Sequence, residues 1–342
     1  MKKVVTFGEI MLRLSPIGYN RFCQNDLLQA TYGGAEANVA VSLANFGADV
    51  SFVTKLPDHA IGRGAANELR GFGVDTRSII YGGDRIGIYY LEKGASERSS
   101  VCIYDRKGSS IQTASPSDFD WNKVFDGAGW FHFTGITPAL GDNVAAICLD
   151  ACKVAKDNGM IVSCDLNYRS KLWTHEKANQ VMTELCNYVD VCIANEEDAE
   201  AVFGIKATGA FSDQYGPELD EEGYKEVAAK LNERFGFNKV AITLRKSYSA
   251  SDNDWSALLY NGHEYYFSKT HRIHLVDRVG GGDSFGAGLI YSLMNGKKDK
   301  DALEFAVSAS ALKQTIEGDF NRVTVEEVNK ITNGNTTGRI SR

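Results

Sequence analysis

Short unbroken apolar runs alternate along this chain with longer stretches whose apolar residues recur every three or four positions. The first kind reads as buried strands, the second as helices with one apolar face. Strands are predicted over Val4–Gly8, Val50–Lys55, Trp130–Gly135, Met160–Leu166, Val191–Asn195 and Val240–Leu244. Helices are predicted over Ala35–Phe46, Ile61–Phe72, Asn143–Asn158, Lys177–Tyr188, Tyr224–Phe235 and Ser284–Met294. Gly47, Gly73, Gly159, Gly236 and Gly296 stand at or just past helix ends, where a residue free to turn left-handed stops the helix. Repeated strand–helix–strand units with short links predict an α/β fold: a doubly wound, mainly parallel sheet flanked by helices. Such sheets bind ligands at the carboxyl ends of their strands.

Two stretches break the rhythm. Tyr81–Ser110 has no helical period, and Ile86–Glu92 and Ser100–Arg106 read as two strands around the polar loop Lys93–Arg98. Leu12–Tyr32 is irregular and partly extended. Segments of roughly 12–32 and 82–110 therefore predict a small β-sheet projecting from a core that spans 1–330. A surface hairpin without function fits this pattern as well as a ligand lid does. Tyr89, Tyr90, Tyr104 and Arg106 favour the lid, because they suit hydrogen bonding to a polyol or an acid. Ala207–Gly223 reads as a polar surface insertion, and 331–342 as a polar tail.

Composition narrows this picture. Length alone, 342 residues, suggests about two domains or one large domain with an insertion, and the pattern selects the second. Lys+Arg 37 against Asp+Glu 44 gives a net charge of −7. Nucleic acid is thereby an improbable partner, since phosphate neutralisation needs clustered positive charge. No run of about 18 apolar residues exists to span a membrane, and the start of the chain does not read as a signal peptide. Seven cysteines are scattered without Cys-x-x-Cys spacing and read as reduced thiols of a cytoplasmic protein.

The strongest chemical signal is Asp277-Arg278-Val279-Gly280-Gly281-Gly282-Asp283-Ser284, directly before a helix. Bare backbone lets an anion approach, and the helix start supplies unpaired N–H groups and a positive dipole end. That arrangement suits a transferring phosphoryl group. Asp283 is placed to take a proton from a substrate hydroxyl. A simple turn with Asp283 as N-cap is the bland account, and three successive glycines fit it poorly. Gly33-Gly34-Ala35-Glu36-Ala37-Asn38 is a second glycine-led helix start, where Asn38 is suited to a sugar hydroxyl. The P-loop pattern, the protein-kinase set, an N-terminal dinucleotide fingerprint, the nucleophile elbow and the His-Glu-x-x-His motif are all missing.

These paired motifs resemble the ribokinase/PfkB carbohydrate kinases over nearly the whole chain. Finer matches resemble the 2-keto-3-deoxygluconate (2-dehydro-3-deoxygluconate) kinase branch: Tyr104-Asp105-Arg106-Lys107-Gly108-Ser109, Asp165-Leu166-Asn167-Tyr168-Arg169, Asn195-Glu196-Glu197-Asp198 and Gly318-Asp319-Phe320. The resemblance implies a ribokinase-like fold and ATP-dependent phosphorylation of the 6-hydroxyl of that sugar acid. It implies Asp283 as catalytic base, with Gly280, Gly281 and Gly282 forming the anion hole. Gly33, Gly34, Asn38, Tyr89, Tyr104, Arg106, Arg169 and Asp319 would hold the substrate. Arg106 would take its carboxylate, for which a planar guanidinium is the natural partner. Asn167, Arg169, Asn195, Thr243, Leu244 and Arg245 would line ATP with Gly280 and Gly282. Asp198 and Glu197 would arrange Mg2+ through water. Asp277 and the Gly318 loop lie where relatives hold a monovalent cation such as K+. A homo-oligomer formed through the lid is expected. Departures from the family pattern are Arg278, Gly281 in place of the commoner Ala, Asp198 in place of Glu, and a missing glycine near Pro57.

Three other readings stay open at this stage: a fructokinase or other ketose kinase of the same fold, a non-catalytic sugar-binding regulator, and, least well supported, a nicotinamide dehydrogenase. Neither the gluconate or galactonate epimer nor the strictness for ATP is fixed by the residues.

Overall fold

The computed structural model describes residues 2–24, 26–207 and 221–335. The insertion expected at 207–223 and the end of the expected tail fall largely outside these residues. The chain opens with β1 (Lys3–Phe7), β2 (Met11–Pro16), β3 (Leu28–Gly33) and α1 (Ala35–Asn45). β4 (Val50–Val53), β5 (Lys55–Leu56), α2 (Ala60–Gly71), β6 (Ile80–Tyr81), β7 (Gly87–Glu92) and β8 (Val101–Asp105) follow. The middle of the chain holds α3 (Trp121–Val124), β9 (Ala128–Thr134), α4 (Asp142–Asp157), β10 (Ile161–Asp165), α5 (His175–Cys186), β11 (Val191–Asn195) and α6 (Glu196–Phe203). Next come α7 (Glu221–Phe235), β12 (Lys239–Ser247), β13 (Asp252–Tyr260), β14 (Tyr265–Phe267) and β15 (His271–His274). The last helices are α8 (Gly281–Met294), α9 (Asp299–Lys313) and α10 (Val325–Thr332).

The central sheet runs β14-β13-β12-β11-β10-β9-β1-β4, with β15 also paired to β13. From β12 to β4 the pairs are parallel, as the alternation predicts. The edge beyond β12 is antiparallel. Each face of the sheet carries an apolar core. One gathers Phe131, Val162, Cys164 and Ile242 under α4, α5 and α7, and the other gathers Val4, Phe52, Phe285 and Phe305 under α1, α8 and α9. Each large apolar side chain buried in this way contributes about 1.5–3 kcal/mol. Five of the seven cysteines are buried, and all seven are free.

A second sheet, ordered β3-β2-β7-β8, comes from the two segments that break the sequence rhythm. Its β2–β7 pair is parallel, whereas β2–β3 and β7–β8 are antiparallel. Met11, Tyr89 and Leu91 form its small apolar cluster. It stands over the carboxyl ends of the central strands.

The structure adjusts several boundaries. The strand expected over Val50–Lys55 is divided: Val50–Val53 joins the central sheet, and Lys55 pairs with Ile80 in a separate two-stranded ribbon. The last strand pairs and α9 had no counterpart in the sequence pattern. α9 is buried on nearly all sides, from Ala302 to Ala311, so it carries no one-sided apolar stripe to detect. α8 starts at Gly281, three residues before the expected Ser284, so Asp283 lies inside the first turn and Gly280 is the N-cap.

Candidate active site

Register brings the site together. Asp165 pairs with Thr134 and Ile193, and Asn195 pairs with Thr243, so these side chains arrive at one edge of the sheet. A cavity of about 540 Å3 lies between that edge and the second sheet. It is lined by Gly34, Asn38, Tyr89, Tyr104, Arg106 and Asp319 on one side. Asn195, Thr243, Arg245 and Arg278 line another, and Gly280–Asp283 lies between. Gly33 and Leu244 are not among its walls. Strand alternation explains Leu244: Thr243 and Arg245 face the cavity, so Leu244 points into the core, 2% exposed. Gly33 packs on Asp319 so closely that a Cβ would lie 2.0 Å from its Oδ2.

The anion hole follows from local backbone chemistry. Gly280 adopts φ 81°, left-handed, and a Cβ there would meet Asp319 O at 2.1 Å. Only glycine satisfies both demands. The Gly281 N–H turns back to Arg278 O at 3.2 Å, which leaves the rest of the first turn of α8 to offer N–H groups to an anion. At Gly282 a Cβ would meet open space, so its bareness serves the cavity rather than the packing.

Asp283 faces the cavity from this turn. Its Oδ2 accepts a hydrogen bond from Asn38 Nδ2 at 2.7 Å. Asn38 is 2% exposed, and its Oδ1 accepts the Gly34 N–H at 3.3 Å. Both polar atoms of the side chain expected at a sugar hydroxyl are therefore engaged within the protein, where they orient Asp283. Removal from water pushes the Asp283 carboxyl up to about 6, against the Asn38 hydrogen bond and the charges of Arg169 and Lys313.

A charge-balanced cluster lies beneath the turn. Arg13 of β2 reaches Asp277 at 2.6 Å and Asp319 at 2.7 Å, and all three side chains are buried. Burial works against the Arg13 charge, but the two carboxylates outweigh it and raise the group further. Tyr89 donates to Asp319 Oδ2 at 2.5 Å. Lys313 Nζ donates to Asp277 O at 3.1 Å and Gly318 O at 2.6 Å. The place expected for a monovalent cation, between Asp277 and the Gly318 loop, thus has a lysine ammonium beside it. Asp319, expected at the substrate, is bound by Arg13 and Tyr89 while still forming part of the cavity wall.

Arg106 is also engaged. Its Nε donates to Glu9 Oε2 at 2.9 Å, with Nη2 on the same oxygen, and Ser109 Oγ donates to Glu9 Oε1 at 2.6 Å. Its guanidinium lies over the Tyr104 ring, 5.4 Å from the centroid. Tyr104 in turn stacks on Tyr89. Arg169 is exposed to the cavity, with Nη1 donating to Tyr168 O. It is brought there by Asn167, a non-glycine residue at φ 38°, a conformation that costs energy and gathers at functional sites.

Asp198 takes the Tyr168 N–H on Oδ1 at 2.8 Å and the Asn195 N–H on Oδ2 at 3.2 Å. Asn195 answers by capping α6 through the Glu197 and Asp198 N–H groups. Burial raises Asp198, and burial together with the charges of Asp198 and Asp283 raises Asp165 well above the carboxylate range. Carboxyl groups of Asp165, Asp198 and Asp283 around one end of the cavity offer oxygen ligands that suit a divalent cation held through water. Among the described residues no group of three His, Cys, Asp or Glu side chains is placed to grip a metal directly.

Glu9, Arg13, Asp165 and Lys313 had no assigned role in the sequence reading. Asp165 carried one available signal: it opens the Asp165-Leu166-Asn167-Tyr168-Arg169 motif.

Known proteins resemble this chain over nearly its whole length. A model of the pfkB family of carbohydrate kinases matches residues 1–322. A solved 2-dehydro-3-deoxygluconokinase of Thermotoga maritima is 51% identical, with a TM-score of 0.93 over 97% of this chain and 98% of its own. A 2-dehydro-3-deoxygalactonokinase of Haloferax volcanii is 33% identical over 98% of each chain. A 2-dehydro-3-deoxygluconokinase of Bacillus subtilis is 26% identical over 94% of this chain and 93% of its own.

Proposed function

The chain belongs to the pfkB family of carbohydrate kinases, and from that membership we propose that it transfers the γ-phosphoryl group of ATP to the 6-hydroxyl of 2-dehydro-3-deoxy-D-gluconate. The observation that carries this reading is Asp283, held by Asn38 at the mouth of a glycine-built helix start. Asp283 accepts the 6-hydroxyl proton as the oxygen bonds the γ-phosphorus, and the bond to the β,γ-bridging oxygen breaks to release ADP. N–H groups of the Gly280–Asp283 turn take the charge on the transferred group. Thr243, Arg245 and Asn195 border the nucleotide, and Asn167 and Arg169 face its phosphates. Mg2+, arranged through water by Asp198 and Glu197, would neutralise phosphate charge when bound. The Lys313 ammonium stands beside the place expected for a monovalent cation such as K+.

Tyr89, Tyr104, Arg106 and Arg169 border the sugar acid, with Asp319 behind them. Glu9 already neutralises much of the Arg106 charge, so Arg169 shares the substrate carboxylate in this reading. The same Glu9 pairing favours a neutral ketohexose as the second reading. The second sheet acts as a lid that excludes water, which would otherwise accept the phosphoryl group. Ile17, Leu28 and Ile103 leave apolar surface on it, and pairing of two lids would cover that surface in a homo-oligomer. Among the described residues no helix is long and apolar enough to cross a membrane, and the free thiols support a reducing, cytoplasmic setting.

The test is ADP release over a panel containing both 2-dehydro-3-deoxy epimers and neutral ketohexoses. The gluconate epimer is expected to give the highest kcat/KM. Preference for fructose would transfer the reading to the ketose kinases.

A further inference from the structure

A lysine is almost never fully buried unless its charge is met. Lys313 ends α9 and is 0% exposed. Its ammonium is met first by two main-chain carbonyls from segments far apart in sequence, Asp277 O and Gly318 O. Burial is the largest influence and, with Arg13, lowers the proton affinity of the ammonium, while the charges of Asp277, Asp319 and Asp283 favour it. The end of a helix adds its negative dipole end.

Those two segments frame the anion hole. Asp277 opens the turn that leads to Gly280, and the Gly318–Asp319 stretch packs against it, with Asp319 O close enough to exclude any Cβ at Gly280. The Gly318 N–H donates to Asp277 Oδ2 at 3.2 Å. The Lys313 Cε would lie 3.3 Å from a Gly280 Cβ. The same end of α9 holds the turn at two more points. Ser310 Oγ donates to Gly281 O at 2.7 Å, and Gln314 O accepts the Val276 and Asp277 N–H groups. A neutral side chain at 313 would leave two buried carbonyls facing each other unpaired, and an unpaired buried polar group is costly.

We infer that the Lys313 ammonium is a built-in cation that ties Asp277 O to Gly318 O and sets the position of the Gly280–Asp283 turn, making it a positioning residue for phosphoryl transfer. Lys313 is not among the cavity walls and acts through the backbone that is. The inference rests on the kinase reading. It predicts turnover independent of K+ or ammonium, because the chain supplies its own monovalent charge.

Two variants test it. Lys313→Met keeps an apolar chain of similar length and removes the charge, and Lys313→Ala opens a space. Steady-state ADP release is measured for both beside the wild type, in sodium, potassium and ammonium salts at equal ionic strength, with circular dichroism to follow folding. A displaced turn costs kcat about 10²-fold in both variants, while KM for ATP and for the sugar acid stay near wild type. Ammonium or K+ restores part of kcat in Lys313→Ala and leaves the wild type unchanged. An active wild type beside an equally active Lys313→Met overturns the inference alone. A loss that neither cation relieves in Lys313→Ala, or variants that remain unfolded, makes Lys313 a packing residue and also overturns it. A wild type that releases no ADP with any sugar overturns the kinase reading and this inference with it.

Discussion

Carboxylates around the Gly280–Asp283 turn fall into two sets with opposite surroundings. Beneath the turn, Asp277 and Asp319 are matched by Arg13, Lys313 and the Tyr89 hydroxyl. On the cavity side, Asp165 of the strand edge feels the charges of Asp198 and of Asp283 in the turn, and burial raises the affinity of all three for protons. Matched charges fix geometry, because each group has one low-energy arrangement. Carboxylates with no cation paired to them directly keep a demand for a proton or a cation, which is what a phosphoryl-transfer site requires of them. The difference assigns structure to the first set and chemistry to the second.

The largest effect is expected from Asp283→Asn, which removes the base. Turnover should fall about 10²–10⁴-fold, with ATP binding by calorimetry nearly unchanged. Next is Arg13→Met, which strips the matched carboxylates of their shared partner. Breaking a buried ion pair costs about 3–5 kcal/mol, read by denaturant unfolding. Unchanged stability there would remove the distinction between the two sets. Arg106→Ala is expected to raise KM for the sugar acid about ten- to a hundredfold, the worth of a charged hydrogen bond, and to leave KM for ATP unaffected. An unchanged substrate preference would show that Arg106 serves Glu9 alone.

pH separates the sets more finely. Asp283 acts in its ionised form, and its raised affinity brings protonation in at about 6. kcat/KM should therefore fall as pH drops below about 6, and Asp283→Asn should lose that limb. The smallest effect concerns Glu36, buried in α1, whose Oε1 accepts from Thr134 N, Thr134 Oγ1 and Thr137 Oγ1. Burial raises its carboxyl from 4.5 to about 7. The folded chain thus holds this proton more tightly than the unfolded one. The stability it supplies is full below 4.5 and is lost as pH rises through about 7. Melting temperatures of Glu36→Gln should vary less across that window than those of the wild type.

Much of this was legible in the sequence wherever the chemistry is local. The parallel strands show as apolar runs, and Gly280 and Asp283 stand in one short motif. The lid was visible as a break in period. The matched set was not legible: Arg13, Asp277, Lys313 and Asp319 lie on separate elements, and nothing in the sequence around Arg13 or Lys313 marks it as buried. Partner choice escaped as well. That Arg106 also carries Glu9 on its guanidinium could not be read, because Glu9 is distant in sequence. The contact of the Asn38 amide with Asp283 is likewise invisible in the sequence, although Asn38 does reach the cavity wall. The antiparallel edge from Asp252 to His274 and α9 were hidden for a different reason: their burial is decided by neighbours rather than by a period of their own.

The most direct test sets Asp283→Asn beside Asp277→Asn, with ADP release and thermal midpoint measured for each at a pH well above the Asp283 transition. Asp283→Asn should abolish most turnover and keep or raise the midpoint, since it replaces a poorly matched charge with a neutral amide. Asp277→Asn should lower the midpoint, since it unmatches Arg13. A folded Asp283→Asn variant with wild-type turnover, or an Asp277→Asn variant as stable as the wild type, would contradict the account.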